Sequence, residues 1–389
     1  MITKIRVKGF KAIYDSKNIS LSPFTVFVGR NGSGKSSILE SLQWLQESME
    51  NGLQAATERR FRVFSDLCNR RTDRISIELD FSRRSRLEVQ YKLAVKAGPH
   101  GTPLVTDEKC GQGKTKGYLS EIKKISPSRR DILSSTGKKG NIETSLRDTD
   151  TLALSRVKGT NAFGARQLTK FLHNAVFLRL NPVHLAQPGQ LLLPVKGPRM
   201  DEEGTNLPAL LNSLDADQKR LVLQRLQECL GHCAKVVDVN VKKSDVTQQG
   251  VLALDEKMLS RGGTKVFTLP AWVLSEGTRR LTALFALLAM EPRPSLLAIE
   301  EIENGLDPWT LSYLLAALRQ AADEGVQVIL TSHSPYFLNQ IDADEIIHVR
   351  RHDGDSQYKP ITEYQEVAAY EGKLSPGVMY ISDYFKDKE

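Results

Sequence analysis

A glycine-rich loop between a strand and a helix most constrains what this chain can fold into. The segment Gly29-Arg30-Asn31-Gly32-Ser33-Gly34-Lys35-Ser36 matches the pattern of Gly, four residues, Gly, Lys, then Ser or Thr. The apolar run Phe24–Val28 before it is typical of a buried strand, and Ser37–Leu42 after it is typical of a helix. Glycines let successive backbone N–H groups face one phosphate, and the helix N-terminus adds partial positive charge. The flanking elements favour this reading over a chance glycine-rich turn.

The loop assigns roles to its residues. Lys35 is predicted to contact the β- and γ-phosphates of ATP, and the Ser36 hydroxyl is predicted to bind Mg²⁺. The predicted nucleotide-binding residues here are Gly29, Arg30, Asn31, Gly32, Ser33, Gly34, Lys35, Ser36 and Ser37.

A second strand ends in two carboxylates. The run Leu296–Ile299 is apolar, and Glu300 and Glu301 follow it. Ligands bind at the C-terminal ends of strands in open α/β sheets. Glu300 is therefore predicted to hold Mg²⁺, and Glu301 is predicted to act as the general base for water. Such acidic strand ends are common, so the prediction depends on the phosphate loop upstream.

Alternating helices and strands in the C-terminal half predict a parallel sheet covered on both faces. The predicted helices are 276–290 and 309–323, and the predicted strands are 296–299, 326–330 and 345–349. Earlier in the chain, 75–81 and 87–93 are predicted to pair as an antiparallel hairpin. Residues 207–233 show helical apolar spacing, and Gly231 is the candidate end of this helical region. Residues 98–161 are rich in Gly, Ser, Thr and Lys, and much of this segment is predicted to be loop.

Four further motifs give the chain a family resemblance. Leu274-Ser275-Glu276-Gly277-Thr278 resembles the signature loop of ABC-type ATPases, and Glu300-Glu301 resembles their Walker B end. Gly305-Leu306-Asp307-Pro308 resembles the D-loop, and Thr331-Ser332-His333-Ser334-Pro335 resembles the switch histidine loop. The residues of these motifs are similar to those of the RecF, SMC and OLD-like branch of ABC-type ATPases, especially its compact members with an AAA_21-type domain.

The resemblance implies an α/β fold: a P-loop NTPase of ABC or SMC-head type, with a mixed sheet, an antiparallel N-terminal subsheet and a helical lid. It also implies a head-to-tail homodimer that traps two ATP molecules. Ser275 and Gly277 of one copy would contact the γ-phosphate held by Lys35 of the other copy. Glu301 would be the general base, His333 would contact the γ-phosphate, and Asp307 would lie at the dimer interface. The alternative for His333 is a capped loop histidine.

The sequence departs from the family pattern at several positions. Glu300 stands where Asp is usual, and its extra methylene could weaken Mg²⁺ binding or slow hydrolysis. Gln90 is the candidate for the metal-sensing glutamine of the Q-loop. Arg30, Arg279 and Arg280 could supply charge to the phosphates or form ordinary ion pairs.

The net charge of +8 is concentrated in one basic segment. Residues 83–170 contain nineteen basic and eight acidic side chains, including Lys123-Lys124, Arg129-Arg130 and Lys138-Lys139. Two interpretations stay open: a contact surface for nucleic acid, or a solvated insertion. The clusters lack the interleaved aromatic residues typical of single-strand binding.

The composition favours a cytoplasmic protein. The N-terminal residues alternate polar and apolar like a strand, without the apolar core of a signal peptide. The apolar run 281–290 is too short to span a membrane. Cys229 and Cys233 lie four residues apart, but further zinc ligands at suitable spacing are lacking nearby, so thiols in a reducing compartment are expected.

Five segments are expected. They are an N-terminal part of the ATPase head (1–95), a basic, loop-rich insertion (96–172), a helical lid (173–265), a C-terminal part of the head (266–350) and a tail (351–389).

Three functions compete. The first is a slow ATPase that switches a dimer (or a larger homo-oligomer) in DNA repair or anti-phage defence, with a separate effector or nuclease. The 56 residues after His333 are fewer than a nuclease domain usually needs. The second is a regulatory ATPase that controls a partner toxin or effector and does not itself bind nucleic acid. The third, the energising subunit of a membrane transporter, is disfavoured because about 240 residues separate Ser36 from Ser275.

Overall fold

A computed structural model describes residues 1–83, 87–113, 119–126, 128–134, 141–192, 200–244, 247–370 and 372–386. The strands are β1 (Ile2–Phe10), β2 (Ile13–Asp15), β3 (Ile19–Ser20), β4 (Phe24–Val28), β5 (Arg74–Arg83), β6 (Leu87–Ala97), β7 (Pro103–Gln112), β8 (Leu119–Ser126), β9 (Arg129–Leu133), β10 (Ile142–Leu146), β11 (Ala175–Leu178), β12 (Gly189–Gln190), β13 (Val236–Lys243), β14 (Gln249–Ser260), β15 (Gly263–Pro270), β16 (Leu296–Ile299), β17 (Gln327–Ser332), β18 (Ile346–His352) and β19 (Asp355–Pro360). The helices are α1 (Lys35–Asn51), α2 (Leu53–Glu58), α3 (Phe163–His173), α4 (Leu207–Ser213), α5 (Ala216–Leu230), α6 (Glu276–Ala289), α7 (Pro308–Asp323), α8 (Pro335–Leu338), α9 (Gln365–Tyr370) and α10 (Pro376–Ile381).

The chain divides into two compact units. The first comprises Met1–Ala175, Ala343–Lys373 and Asp383–Glu389, and the second comprises Val176–Asp342 and Leu374–Ser382. The phosphate loop therefore belongs to the first unit, whereas Glu300, Glu301 and His333 belong to the second.

The first unit is built on an antiparallel sheet. Its strand order is β10-β9-β8-β7-β6-β5-β1-β2, with β3 paired to β1. The predicted hairpin of 75–81 and 87–93 is confirmed as β5 and β6, which pair antiparallel. Buried aromatic side chains join the sheet to α1, where the rings of Phe10 and Phe64 lie 6.3 and 6.0 Å from that of Trp44. In the same unit β4 pairs parallel with β18, which pairs antiparallel with β19.

Much of 98–161 is predicted to be loop, but four strands that were not predicted, β7 to β10, pass through it and extend the antiparallel sheet. Its polar residues are buried partners of backbone groups. Glu121 is fully buried and accepts hydrogen bonds from the N–H groups of Gly164 and Ala165 at the start of α3. Glu108 does the same for Ala153 and Leu154, at 2.7 and 2.9 Å. Charges that cap helix starts in this way look like loop composition in a sequence.

The basic segment is partly neutralised inside this sheet. Arg130 is buried and lies 2.9 Å from Glu108, and Arg129 lies 2.9 Å from Asp131. The exposed Lys92 pairs with Glu78 across the strands at 3.2 Å. The predicted cluster Lys138-Lys139 lies outside the described residues, as do Arg84, Arg86, Lys114 and Lys116.

The second unit carries a parallel sheet segment and a small antiparallel sheet. The predicted parallel strands are confirmed, because β16 pairs parallel with β17 and β11 lies on the other side of β16. In the second sheet β14 pairs with β12, β13 and β15. The segment predicted as a helical lid, 173–265, thus also contains β14 and the first residues of β15, two strands that were not predicted.

The helical spacing predicted over 207–233 is confirmed as α4 and α5, with Gly231 at the end of α5, but the two helices are separated by a short break. The chain leaves the helix after Ser213 and begins α5 at Ala216. Asp215 forms a capping box, accepting from the Gln218 N–H at 2.8 Å and donating its own N–H to the Gln218 side chain at 2.9 Å. The Asp-x-x-Gln spacing was visible in the sequence and could have located this break.

Candidate functional site

The phosphate loop, residues 29–36, is shaped by its glycines. It leaves the fully buried strand β4 and enters α1, as predicted. Gly34 has φ of 108°, and a Cβ there would lie 2.1 Å from Ser356 Oγ. A Cβ on Gly29 would lie 2.1 Å from the Val349 carbonyl oxygen. Both positions therefore require glycine, for space at both and for conformation at Gly34.

The Lys35 ammonium curls back into the loop. Its Nζ donates to the carbonyl oxygens of Gly29 at 2.6 Å and Arg30 at 3.2 Å, and the residue is only 7% exposed. The first turn of α1 contains no acidic residue and no side-chain cap. A buried cation beside an uncapped helix N-terminus is an environment that attracts a phosphate.

The other predicted loop residues lie around this cation. Asn31 and Arg30 are exposed at the tip, Ser36 is half-buried in the first turn of α1, and Ser33 and Ser37 are buried. The Ser33 N–H donates to the Arg30 carbonyl at 3.1 Å, which closes the turn.

Strand β19 supports the loop from below. The Tyr358 hydroxyl donates to the Gly34 carbonyl at 2.8 Å, and its ring meets the ring of Phe27 edge-on at 6.0 Å. Burial raises the pKa of Tyr358 well above the ordinary value, which keeps the hydroxyl protonated as a donor. Sequence reasoning missed this residue, because nothing in the sequence links β19 to a loop 324 residues away.

In the second unit Glu300 and Glu301 follow β16, where β17 runs parallel beside it. Arg280, on α6, is 3% exposed and donates to the carbonyl oxygens of both glutamates, at 3.1 and 2.7 Å. The Glu301 N–H donates to Thr331 Oγ1 at 3.0 Å, and Glu301 has φ of 49°. The Glu301 carboxylate accepts from the Asn304 amide at 2.6 Å. The backbone of the proposed base is therefore held on two sides.

The two arginines after the signature loop hold backbone groups. Arg279 donates to the carbonyl oxygens of Ala271 and Leu274, both at 2.9 Å. Desolvation lowers the pKa of Arg280, opposed by the charges of Glu276, Glu303 and Glu301. The sequence alone left two roles open for Arg279 and Arg280, phosphate contact or ion pairing. The hydrogen bonds that the structure shows for both side chains are instead with backbone carbonyl oxygens.

Glu303 connects the acidic loop to the histidine loop, a link that sequence reasoning missed. Its Oε1 accepts from the Ser332 hydroxyl at 3.0 Å and from the His333 N–H at 2.9 Å. The same oxygen lies 3.3 Å from His333 Nδ1. We call Glu300, Glu301, Glu303, Ser332 and His333 the carboxylate–histidine cluster.

The signature and D-loop residues lie in contact with each other. Ser275 is the N-cap of α6 and accepts from the Thr278 N–H at 3.1 Å. A Cβ on Gly277 would lie 2.4 Å from the Gly305 carbonyl oxygen, so the helix start packs directly on the loop before Asp307. Asp307 is the N-cap of α7 and accepts from the N–H groups of Trp309 and Thr310. The two helix starts thus flank one surface of the second unit.

Gln90 lies within β6, opposite Asp80 and Gly111, and is exposed. The structure therefore has the candidate metal-sensing residue on a strand, and its role stays a prediction. The oxygen donors of Ser36 and Glu300 have the chemistry that a hard cation such as Mg²⁺ requires.

The structure also describes the cysteines and the helices that were considered for a zinc site and for a membrane span. Cys229 is buried and Cys233 is exposed, and both are free thiols. No group of three or more His, Cys, Asp or Glu side chains suited to a metal ion occurs in the described part of the chain. Within the same residues no helix has the length and apolarity needed to cross a membrane.

Comparisons with known proteins agree with this architecture. The family model AAA_21, described as "AAA domain, putative AbiEii toxin, Type IV TA system", matches residues 24–339. A curated relative from Caldanaerobacter subterraneus subsp. tengcongensis, named "Putative ABC transporter ATP-binding protein", is 28% identical over 97 residues. That match covers 25% of this chain and 38% of the relative, so the chain spans well under half of the relative's length.

Two solved structures share the fold. An SMC head bound to the C-winged helix domain of ScpA is 18% identical, with a TM-score of 0.53 over 92% of this chain and 96% of that one. An SMC head with an extended coiled coil, bound to the C-terminal domain of ScpA derived from Pyrococcus furiosus, is 13% identical. Its TM-score is 0.50 over 96% of this chain and 99% of that one. The α/β fold is therefore that of ABC and SMC-type ATPase heads.

Proposed function

The chain belongs to the AAA_21 family of ABC and SMC-like ATPases, and from this premise we propose that it is an ATP-hydrolysing dimer switch. The observation that carries the proposal is the phosphate loop, in which a left-handed Gly34 and a buried Lys35 surround the start of α1. Backbone N–H groups of the loop and the Lys35 ammonium would bind the β- and γ-phosphates.

The carboxylate–histidine cluster would perform the hydrolysis. Glu301 would take a proton from the attacking water. As it does so, the water oxygen would bond to the γ-phosphorus, and the bond between the γ-phosphorus and the leaving oxygen of ADP would break. His333 would hold the γ-phosphate and orient that water. Ser36 and Glu300 would hold Mg²⁺, which neutralises phosphate charge when bound. The parallel pairing of β16 and β17 supports a shared role, because Glu301 and His333 follow the same end of neighbouring strands.

Each active site would need two copies of the chain. Ser275 stands at the N-terminus of α6, where backbone N–H groups attract an anion, and Gly277 lets the loop before Asp307 pack against this helix start. In a head-to-tail dimer this surface would cover the γ-phosphate that Lys35 of the second copy binds, and Asp307 would lie beside it.

A mixing experiment tests this arrangement. Lys35→Ala and Ser275→Arg should each lose hydrolysis of Mg-ATP when assayed alone. A heterodimer of the two variants contains one site with both native residues, so mixing should restore measurable activity. A wild-type chain that hydrolyses no ATP would contradict the ATPase proposal. An active wild type without complementation would contradict the shared site alone.

We further propose that the switch acts in anti-phage defence through a separate effector, in preference to DNA repair. The family description names a toxin of a toxin–antitoxin system, and the SMC heads that share the fold are bound to a partner protein. Co-purification with a second protein that survives nuclease treatment would support this. Isolation of the chain without a partner in every nucleotide state would oppose it.

A second candidate function, control of a partner without nucleic acid contact, is favoured by the charge pairing of the basic segment. Arg130, Arg129 and Lys92 each lie within 3.2 Å of a carboxylate oxygen. Binding of labelled DNA and RNA at low and moderate salt separates the two candidates. Affinity that falls steeply with salt favours phosphate contacts. No affinity at low salt, with or without ATP, favours the protein partner.

A further inference from the structure

Glu303 makes three contacts with the histidine loop, all through one oxygen. Oε1 accepts hydrogen bonds from the Ser332 hydroxyl and from the His333 N–H, and it lies 3.3 Å from His333 Nδ1. The side chain of Glu303 is 12% exposed, whereas the side chain of His333 is 45% exposed. A largely buried carboxylate thus holds both the backbone and the ring of an accessible histidine.

The position of this carboxylate affects the chemistry of the ring. Which imidazole nitrogen carries the proton is set by the hydrogen bond that the other nitrogen makes. A carboxylate beside Nδ1 favours a proton on Nδ1 and fixes the ring orientation, so that Nε2 is the nitrogen left for substrate. The same logic applies wherever a carboxylate orients a reactive histidine.

The second oxygen of Glu303 argues against a purely structural role. Oε2 is buried and has no hydrogen-bond partner among the described residues. A buried acceptor without a partner costs free energy, and such groups are rare in folded proteins. A neutral amide could accept the same hydrogen bond from the His333 N–H without the cost of burying a charge. The stability of the loop therefore does not explain why a charged carboxylate stands at Glu303.

We propose that Glu303 is a positioning residue for ATP hydrolysis, which fixes the His333 ring through Nδ1 and the His333 backbone through its N–H. The inference rests on the proposed function, because it assigns Glu303 a part in the reaction that His333 would serve. Glu303 touches neither ATP nor the attacking water in this role, and it acts only through His333.

A double-mutant cycle tests the inference. Glu303→Gln keeps an acceptor oxygen but removes the charge, and it is combined with His333→Ala. We expect Glu303→Gln to lower kcat about tenfold with KM little changed, as for other carboxylates that orient a histidine. In the His333→Ala background, Glu303→Gln should have no further effect, because its route of action is gone. Glu228→Gln, an exposed change on α5 of the same unit, should keep the parental kcat.

Several outcomes would overturn the inference. One is a parental kcat in Glu303→Gln, and another is a tenfold loss that repeats in the His333→Ala background. A readout that needs no hydrolysis is the ¹⁵N spectrum of histidine-labelled protein, with the His333 signals assigned by their loss in His333→Ala. The His333 nitrogen shifts should change in Glu303→Gln, and unchanged shifts would contradict the inference. If the shifts change but the wild type hydrolyses no ATP, the proposed function fails while the contact itself stands.

Discussion

The phosphate loop is shaped mainly by its own backbone, whereas the carboxylate–histidine cluster is held by side chains from separate segments. In the loop, Gly34 adopts φ of 108° and Lys35 bonds to carbonyl oxygens five and six residues away. In the cluster, Glu303 reaches His333 across 30 residues, and Arg280 reaches the carbonyl of Glu301 across 21. The loop should therefore be most sensitive to side chains added at Gly29 and Gly34, and the cluster should be most sensitive to the loss of a charge or a hydrogen bond.

The largest effect expected in the loop comes from removing its cation. Lys35→Ala should weaken ATP binding by about a hundredfold or more, because the ammonium is the buried positive charge beside the α1 N-terminus. Fluorescent ATP titration measures this. Lys96→Ala, an exposed lysine of β6, serves as the control and should bind as the parent does. Parental affinity for ATP in Lys35→Ala would contradict the assignment of this loop to the nucleotide-binding site.

Two glycine substitutions separate conformation from space within the loop. Gly34→Ala should destabilise the first unit by about 3 kcal/mol, because it combines a left-handed φ with a Cβ 2.1 Å from Ser356 Oγ. Gly32→Ala has φ of 75° with open space around the Cβ, and should cost only about 1 kcal/mol. Urea unfolding midpoints compare the two variants. Equal midpoints would show that contact with Ser356 does not add to the cost of a side chain at position 34.

Removing the Tyr358 hydroxyl tests the support beneath the loop. Tyr358→Phe should cost about 1 kcal/mol, because the Gly34 carbonyl loses the Tyr358 hydroxyl and keeps only the longer hydrogen bond from the Ser37 N–H among the donors described. The measurement is the urea midpoint together with ATP affinity. An increase in stability would contradict the contact.

Asp307 provides a smaller, pH-dependent test in the second unit. Hydrogen bonds from Thr310 and from backbone N–H groups lower the pKa of Asp307 below the ordinary 3.8. A lowered pKa in the folded state means that the contribution to stability is full above the unfolded pKa and is lost as the pH falls through the folded pKa. Asp307→Ala should therefore cost about 1 kcal/mol near neutral pH, as for other N-caps. The difference from the parent should shrink below about pH 4, and urea midpoints across pH measure it. A difference independent of pH would exclude the carboxylate as the cap.

Sequence reasoning located the elements that backbone rules and local periodicity determine. The loop glycines, the strands β4, β16 and β17 and the hairpin of β5 and β6 all carry their signal within a few residues. Tyr358 and Glu303 carry none, because each acts across a long sequence separation on a backbone group that any residue possesses. The strands β7 to β10 were missed for a related reason, since the buried charge of Glu108 or Glu121 is visible only once its partners are placed.

The measurement that tests the central claim most directly is ATP turnover by Glu301→Gln. The variant keeps the size of the side chain and removes the proposed base, so hydrolysis should fall by about a hundredfold or more. ATP binding should persist, and native mass spectrometry should detect an ATP-bound dimer. Hydrolysis at the parental rate would contradict the assignment of Glu301 and the joint action of the loop and the cluster.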